Sequence, residues 1–383
     1  AAPTPGLAGA AARRLAIVLP PREAFSPVAA GAVSLVVHRL ARAGSRGAGG
    51  TDTEAVVFGP AIPWPPFPDV AFQPVRPGFW PPAPLARRYA RAVGRALDGL
   101  APALIEVHNR PDVALFLAAR FRAIPTILFL HNDPRQMGAA RSPCERRLLL
   151  ARLARVVSVS AFLRASFLEG LREDRDRAVV LPNPIELAAL PPALAAAERS
   201  PTLLFVGRMV RDKGADAFVE AAAIALRHLP GWQAEMFGAD RSGPASPDTP
   251  WLAAVRGRAA AAGITWHGYR PHAEIAAAMA AAAIVVVPSR WPEPFGLTAL
   301  EAMAAGAALI AAPHGALPGL VGDAARIVDP DDPEALAETM VAIAQDLPAR
   351  AYLGAAGLAR ARAFDLPHIG QALAELRHEI LAS

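Results

Sequence analysis

The chain alternates between short, almost wholly apolar runs and longer stretches in which apolar residues return every three or four positions. The runs at 15–19, 54–58, 104–107, 126–130 and 155–159 are too short for helices and read as strands, while 29–43 and most of the segments between the later runs carry the helical period. Strands that are apolar on both faces belong in a parallel sheet covered by helices on each side; a sheet with one wet face would alternate. A second series follows at 202–206, 233–237, 264–267, 284–288, 308–311 and 325–328, again with helical stretches between nearly all members. The pattern predicts an α/β protein of two Rossmann-like halves.

The proline-rich stretch 182–192, opening Pro182-Asn183-Pro184, suits the connection between the halves, because proline punctuates and stiffens a linker. The boundary is set near residue 190, with a first domain over 1–188. Residues 59–84 carry Trp64, Phe67, Phe72, Phe79 and Trp80 among many prolines and cannot form a regular helix. This region reads as a structured loop packed on its own domain, or as an exposed aromatic loop that meets a lipid or glycan. Arg87, Arg88, Arg91 and Arg95 follow on one helical face, where they form a solvated surface or a site for phosphates and lipid headgroups.

At 383 residues, with 53% hydrophobic and 19% charged positions, the chain has the material for two cores and is unlike a disordered chain. No apolar run approaches the roughly 20 residues a bilayer requires. Residues 1–12 lack the basic region and apolar core of a secretory signal and read as a frayed tail. The single cysteine, Cys144, cannot make an intrachain disulfide or by itself a zinc site, which fits a reducing cytoplasm; its plainest role is that of a small buried hydrophobe. The net charge of +5 suits anionic partners. Without zinc-finger spacing, an aromatic RNA signature or a long basic tail, phosphate-bearing substrates or an anionic membrane surface account for that charge better than nucleic acid does.

Two loops carry the chemistry. In 289–306, Glu293 lies in a Pro/Gly loop just after a strand, and Glu301 stands eight positions on, about one turn into the following helix. Such strand-to-helix loops at the carboxyl edge of a parallel sheet bind ligands, and the amides of Gly296, Leu297 and Thr298 at the helix start suit an anion such as a diphosphate. In 205–214, Gly207, Arg208, Lys213 and Gly214 again join a strand to a helix. There two cations can neutralise the charge on a departing nucleoside diphosphate without a metal, and no convincing acidic metal-binding cluster is present.

With these two motifs, G-R-x4-K-G and E-x7-E, the chain resembles glycosyltransferase family 4, a large family of retaining enzymes with the GT-B fold of two Rossmann-like domains facing across a cleft. The resemblance implies that Arg208 and Lys213 hold the diphosphate, Glu293 the donor-sugar hydroxyls and Glu301 the ribose hydroxyls, with Phe295 and the helix start beside them. It also matches Gly268 after the strand that precedes the E-x7-E segment. It implies a nucleotide-sugar domain over 189–362 and a terminal helix over 363–383 that crosses back to the first domain. The histidine after the later strand of the first half, His131, would reach the donor sugar, through its imidazole or its backbone carbonyl. His108, with Asn109 and Arg110, would orient the acceptor; Asp133 is a weaker candidate for an acceptor base.

One departure stands out. Many family members carry a Gly-Gly loop after the first strand, where this chain has residues 20–27 and, later, Gly31 as the point of close approach to the acceptor. The function implied is metal-independent, retaining transfer of a hexosyl unit from a nucleotide sugar, UDP before GDP, to a glycan or lipid-linked acceptor. The first loop and the His108 segment resemble bacterial members that build lipopolysaccharide or exopolysaccharide, which implies a cytoplasmic enzyme, peripheral on the inner membrane face. The competing readings are a nucleotide-sugar epimerase, which would need no acceptor, and a non-catalytic nucleotide-sugar-binding subunit. No cofactor and no nucleic-acid partner are expected.

Overall fold

The structure is a computed structural model that describes residues 13–43, 53–79, 82–172, 175–240 and 249–383. The frayed tail expected over 1–12, and Trp80, lie outside the described residues. The first sheet is built from β1 (Arg13–Val18), β2 (Thr53–Pro60), β3 (Ala71–Val75), β4 (Leu104–His108), β5 (Thr126–Leu130), β6 (Arg155–Ser158) and β7 (Ala178–Val180), in the order β3-β2-β1-β4-β5-β6-β7. The second comprises β8 (Ser200–Val206), β9 (Gln233–Phe237), β10 (Thr265–Trp266), β11 (Ala282–Val287), β12 (Ala308–Ala311) and β13 (Ala325–Ile327), ordered β10-β9-β8-β11-β12-β13. All pairings are parallel. In each sheet the chain reverses direction beside the first strand of its half, so the crevice where a doubly wound sheet binds its ligand opens at the carboxyl ends of β1 and β4, and of β8 and β11.

The helices begin where the sequence supplies caps. Ser142 and Glu145 form a capping box on α4 (Pro143–Arg152), and Ser160 caps α5 (Ala161–Leu168). Cys144 sits in the first turn of α4 and is exposed, which corrects its reading as a buried hydrophobe: that turn faces water, and α4 turns Leu149 and Leu150 inward instead.

The region 59–84 contains a strand that its prolines conceal. β3 runs along the edge of the sheet, where Pro74 leaves no central partner without a donor. Phe67 and Phe72 pack on the fully buried Phe25, with ring centroids 5.0 and 5.4 Å away. Trp64 and Phe79 are exposed. Arg88 lies over the Phe79 ring and donates to the Gly78 carbonyl, so this arginine is tied to its own loop.

The halves are joined at several places, among them the Ser160 hydroxyl, which donates to the Pro294 carbonyl at 2.6 Å. Ile185 pairs with Asp365: the Ile185 amide donates to Phe364 O at 2.8 Å and the Leu366 amide to Ile185 O at 2.7 Å. Beyond this joint α13 (Leu366–Ala382) buries Ile369, Leu373 and Ile380, spaced for one helical face, among Leu15, Leu104 and Ile127 of the first sheet. Gly370 lets it meet α1 (Ala32–Ala43) closely, since a Cβ there would lie 2.7 Å from the Ala43 Cβ. Beneath the helix, Arg377 grips Glu106 of β4 with two hydrogen bonds of 2.7 and 2.8 Å, both side chains almost wholly buried.

Removing one member of a buried ion pair strands the other charge, so Arg377→Ala or Glu106→Ala is expected to cost about 3–5 kcal/mol. The double change Glu106→Leu with Arg377→Met should recover most of that loss, which denaturant unfolding of the three variants would measure.

Candidate functional site

Each loop predicted to carry chemistry leaves the carboxyl end of a central strand of the second sheet, and backbone contacts bind the two together. After β8 the chain passes Gly207 and Arg208, makes a turn at Arg211–Lys213, and enters α6 (Ala215–Ala225) through Gly214. Gly214 is left-handed, with φ +72°, and a Cβ on it would stand 1.8 Å from the Pro288 carbonyl oxygen at the end of β11. That crowding, together with the positive φ, requires glycine. Two residues earlier in the turn, the Asp212 carbonyl accepts the amides of Arg290 and Trp291, each at 2.9 Å, and the Ser289 hydroxyl at 3.1 Å. The two loops therefore move as one.

The joint brings Lys213 Nζ to 2.5 Å from Glu293 Oε1. Glu293 is 7% exposed and its backbone is clamped from behind by a third loop: the Ala316 amide donates to Glu293 O at 2.8 Å, and a Cβ on Gly315 would lie 2.3 Å from the Glu293 nitrogen. The same loop sends His314 Nδ1 to the Ser289 carbonyl at 2.9 Å. Gly296, at φ +103°, turns the chain into α9 (Leu297–Ala304), whose first amides open on the same space.

That space is a pair of adjoining cavities of about 510 and 290 Å3 between the two sheets. Arg208, Lys213, Glu293 and Thr298 line both; Gly207, Glu23 and Gly31 line the larger, and His131, Phe295, Gly296 and Leu297 the smaller. Phe295 is mostly buried and meets Phe364 edge-on, 5.9 Å between centroids, so its ring also braces the joint between the halves.

Glu301 does not share these cavities. Its carboxylate meets His272 Nε2 at 2.9 Å and lines a separate small hollow with Leu190, Pro191, Ile275 and Met279. The hydrogen bond to Glu301 raises the His272 pKa against the opposing effect of burial. Gly268, at φ +71°, lines none of the three hollows either; its carbonyl takes the Gly238 amide at 2.9 Å.

The first half places three expected acceptor residues, His108, Asn109 and Arg110, away from both cavities. His108 is 1% exposed, stacks on Phe129 and meets His131, Nδ1 to Nε2, at 2.9 Å. Asn109, with φ +57°, uses its side-chain oxygen to accept the amides of His131 and Asn132. Arg110 is bound to Asp112 at the start of α3 (Pro111–Arg120). The segment following β4 is thus a brace for the segment following β5, and His131 is the residue presented to the cleft. Burial pushes His131 down to about 4, and burial, with His131 and Arg377 nearby, holds His108 well below the usual imidazole range. Both rings are neutral near pH 7, and one N–H is shared between them. Hydrogen bonds from Arg135 outweigh burial and keep the Asp133 carboxyl below the ordinary range.

The sequence reading passed over Glu23, Asp240, Gly238 and Gly315. Gly238 directly follows β9 as Gly207 follows β8, so the same signal was available for it, whereas Gly315 lies four residues beyond β12. Glu23 and Asp240 line the larger cavity from loops whose course no motif announced. Among the described residues no group of three or more His, Cys, Asp or Glu could hold a metal, and no helix is long and apolar enough to cross a membrane.

Two doubly wound parallel sheets facing each other across a cleft define the GT-B class. Residues 33–189 match the model described as Glycosyltransferase Family 4, and residues 200–346 that described as Glycosyl transferases group 1. The chain is 30% identical to a D-inositol 3-phosphate glycosyltransferase of Frankia alni over 66% of this chain and 68% of the relative. It is also 30% identical to one of Nocardia farcinica, over 65% of this chain and 59% of the relative, so it spans less than two thirds of that protein. Among solved structures it resembles a sucrose-phosphate synthase of Thermosynechococcus elongatus, with TM-score 0.76 and 22% identity over 97% of this chain and 100% of the other. It likewise resembles HepE of Anabaena in complex with UDP-glucose, with TM-score 0.73 and 18% identity over 96% and 100%. The chain belongs to glycosyltransferase family 4.

Two outcomes test this geometry. Gly214→Ala should destabilise the protein by about 1–3 kcal/mol, visible in thermal melts, because the left-handed backbone and the Pro288 carbonyl both oppose a Cβ. His131 has a lowered folded pKa, so protonation favours the unfolded chain; its contribution is complete above about pH 6.5 and is lost as pH falls toward 4. The wild type should therefore lose about 3 kcal/mol more than His131→Gln between pH 7 and pH 4 in denaturant titrations.

Proposed function

We propose that this protein is a retaining, metal-independent glycosyltransferase that moves a hexosyl unit from a UDP-sugar to a hydroxyl of a glycan or glycolipid. The observation that carries the reading is the meeting of Arg208, Lys213, Glu293 and the α9 amides around one cleft that the first sheet closes. Arg208, Lys213 and the amide row supply fixed positive potential where a leaving diphosphate gains charge, the task a metal performs elsewhere. Glu293, aligned by Lys213 and clamped by the Gly315 loop, is placed to accept sugar hydroxyls. In front-face transfer the anomeric carbon loses its bond to the phosphate oxygen as the acceptor oxygen bonds from the same side, and the acceptor's proton passes to that departing oxygen. A neutral His131, braced by His108, adds a ring or carbonyl dipole, not a full charge, beside the developing oxocarbenium ion.

UDP is favoured because the neighbouring HepE structure holds UDP-glucose, and a hydroxyl of a cyclitol or sugar suits the names of the curated relatives. Those names, which print an inositol phosphate, favour a second reading of the acceptor, as a small phosphorylated polyol in place of a polymer. Glu301, held by His272, is the ribose-binding group if the nucleoside extends past the start of α9. Synthesis of lipopolysaccharide or exopolysaccharide on the inner face of the membrane is the setting in which the larger acceptor would be used.

Calorimetry with UDP, GDP and ADP, followed by mass spectrometry of products formed from UDP-glucose, tests the assignment. Arg208→Ala, Lys213→Ala and Glu293→Ala should each lower turnover by about 100-fold or more with melting temperatures nearly unchanged. Conversion of the UDP-sugar to an epimer without an acceptor, or near-normal turnover in all three variants, would defeat it.

A further inference from the structure

The loop that departs from the family's Gly-Gly pattern delivers a carboxylate to the cleft. Glu23 lines the larger cavity together with Gly31, Arg208, Lys213, Asp240 and Glu293. Its position is fixed from three sides. Two residues on, Phe25 is wholly buried among Phe67, Phe72 and His38, which anchors the loop. The Glu23 amide closes a turn onto the Pro20 carbonyl at 3.2 Å. The carboxylate itself lies over the first turn of α1, accepting the hydroxyl of the fully buried Ser34 at 3.2 Å. Gly31 makes room for it, since a Cβ there would lie 2.7 Å from Oε2.

A carboxylate can accept about four hydrogens, and the hydroxyl and amide of Ser34 use no more than two. Burial raises the Glu23 pKa even against these bonds, as expected of a group short of donors. The remaining capacity belongs to whatever enters from the cavity, and across that cavity stand the residues read as the donor site. An acceptor hydroxyl supplies the missing hydrogen; a phosphate supplies none and meets like charge.

We propose that Glu23 is an acceptor-binding residue that selects a neutral polyol: it takes hydrogen bonds from the acceptor's hydroxyls and, by filling the start of α1 with the chain's own negative charge, rejects a phosphorylated acceptor there. This rests on the transferase reading.

The test uses UDP-saturated protein titrated calorimetrically with myo-inositol, glucose, fructose and a neutral disaccharide, the three monosaccharide-sized probes each beside its monophosphate. At least one neutral probe should bind at millimolar concentration, and more tightly than its monophosphate. Glu23→Ala should weaken it on the order of tenfold or more, the loss expected for a hydrogen bond to a charged group. Gly31→Ala, which retains the carboxylate but pushes it aside, should do the same, while UDP affinity holds and thermal melts show both variants folded. Equal or tighter binding of the monophosphates by wild type, no binding of any neutral probe, or indifference to Glu23→Ala overturns the proposal. Failure of wild type to bind any nucleotide removes the transferase reading, and this one with it.

Discussion

The Asp212 carbonyl, which accepts two amides and a hydroxyl from the loop after β11, is the contact on which the arrangement of the cleft depends. A single peptide oxygen ties the loop that supplies cations to the loop that supplies a carboxylate. With Gly214 pressed against Pro288, neither loop can shift without breaking the other's hydrogen bonds. Lys213 and Glu293 meet at hydrogen-bond distance because their backbones are joined, which spares each side chain the entropy of finding the other. A surface pair of the same residues would contribute little; this one is a positioning device.

The same economy governs the other half. Asn109 spans the ends of β4 and β5, His108 backs His131, and Glu106, two residues before His108 on the same strand, is held by Arg377 from α13. A line of polar groups thus runs from the terminal helix to the residue that faces the cleft, through a largely apolar core. Such groups are costly to bury singly and tolerable when each has a partner. α13 reaches them only because the chain has passed from the second domain back across the Ile185–Asp365 joint, so cleft geometry and interdomain packing share one set of contacts.

The opposing walls differ in charge as well as in origin. The second sheet presents Arg208 and Lys213 and a helix start open to anions; the first presents Glu23 over a helix start already occupied by it. On the proposed reading, an anionic group would face Arg208 and the α9 amides and a hydroxyl-bearing group would face Glu23.

Much of this was written in the chain. Apolar runs of strand length, helical spacing between them and the proline stretch at 182–192 determine two parallel α/β halves, because burial on both faces leaves no other pattern. Gly207, Arg208, Lys213, Glu293 and the start of α9 were legible because glycines and charged residues in strand-end loops mark the edge of a parallel sheet where such folds bind ligands. Tertiary structure alone decided the rest. Pro74 hid an edge strand, since local propensity does not know which side of a strand is left unpaired. His108, Asn109 and Arg110 read like site residues, yet His108 is buried against His131, Asn109 accepts the His131 amide, Arg110 pairs with Asp112, and Glu301 went to His272 and not to Lys213. Glu23 had no motif; it matters because the fold of residues 20–31 carries it over α1, against a wall that lies nearly two hundred residues away in sequence. Local sequence encodes elements and their turns through backbone sterics and burial. Which side chains then face each other is set by contacts between distant segments, and no window of the sequence contains both partners.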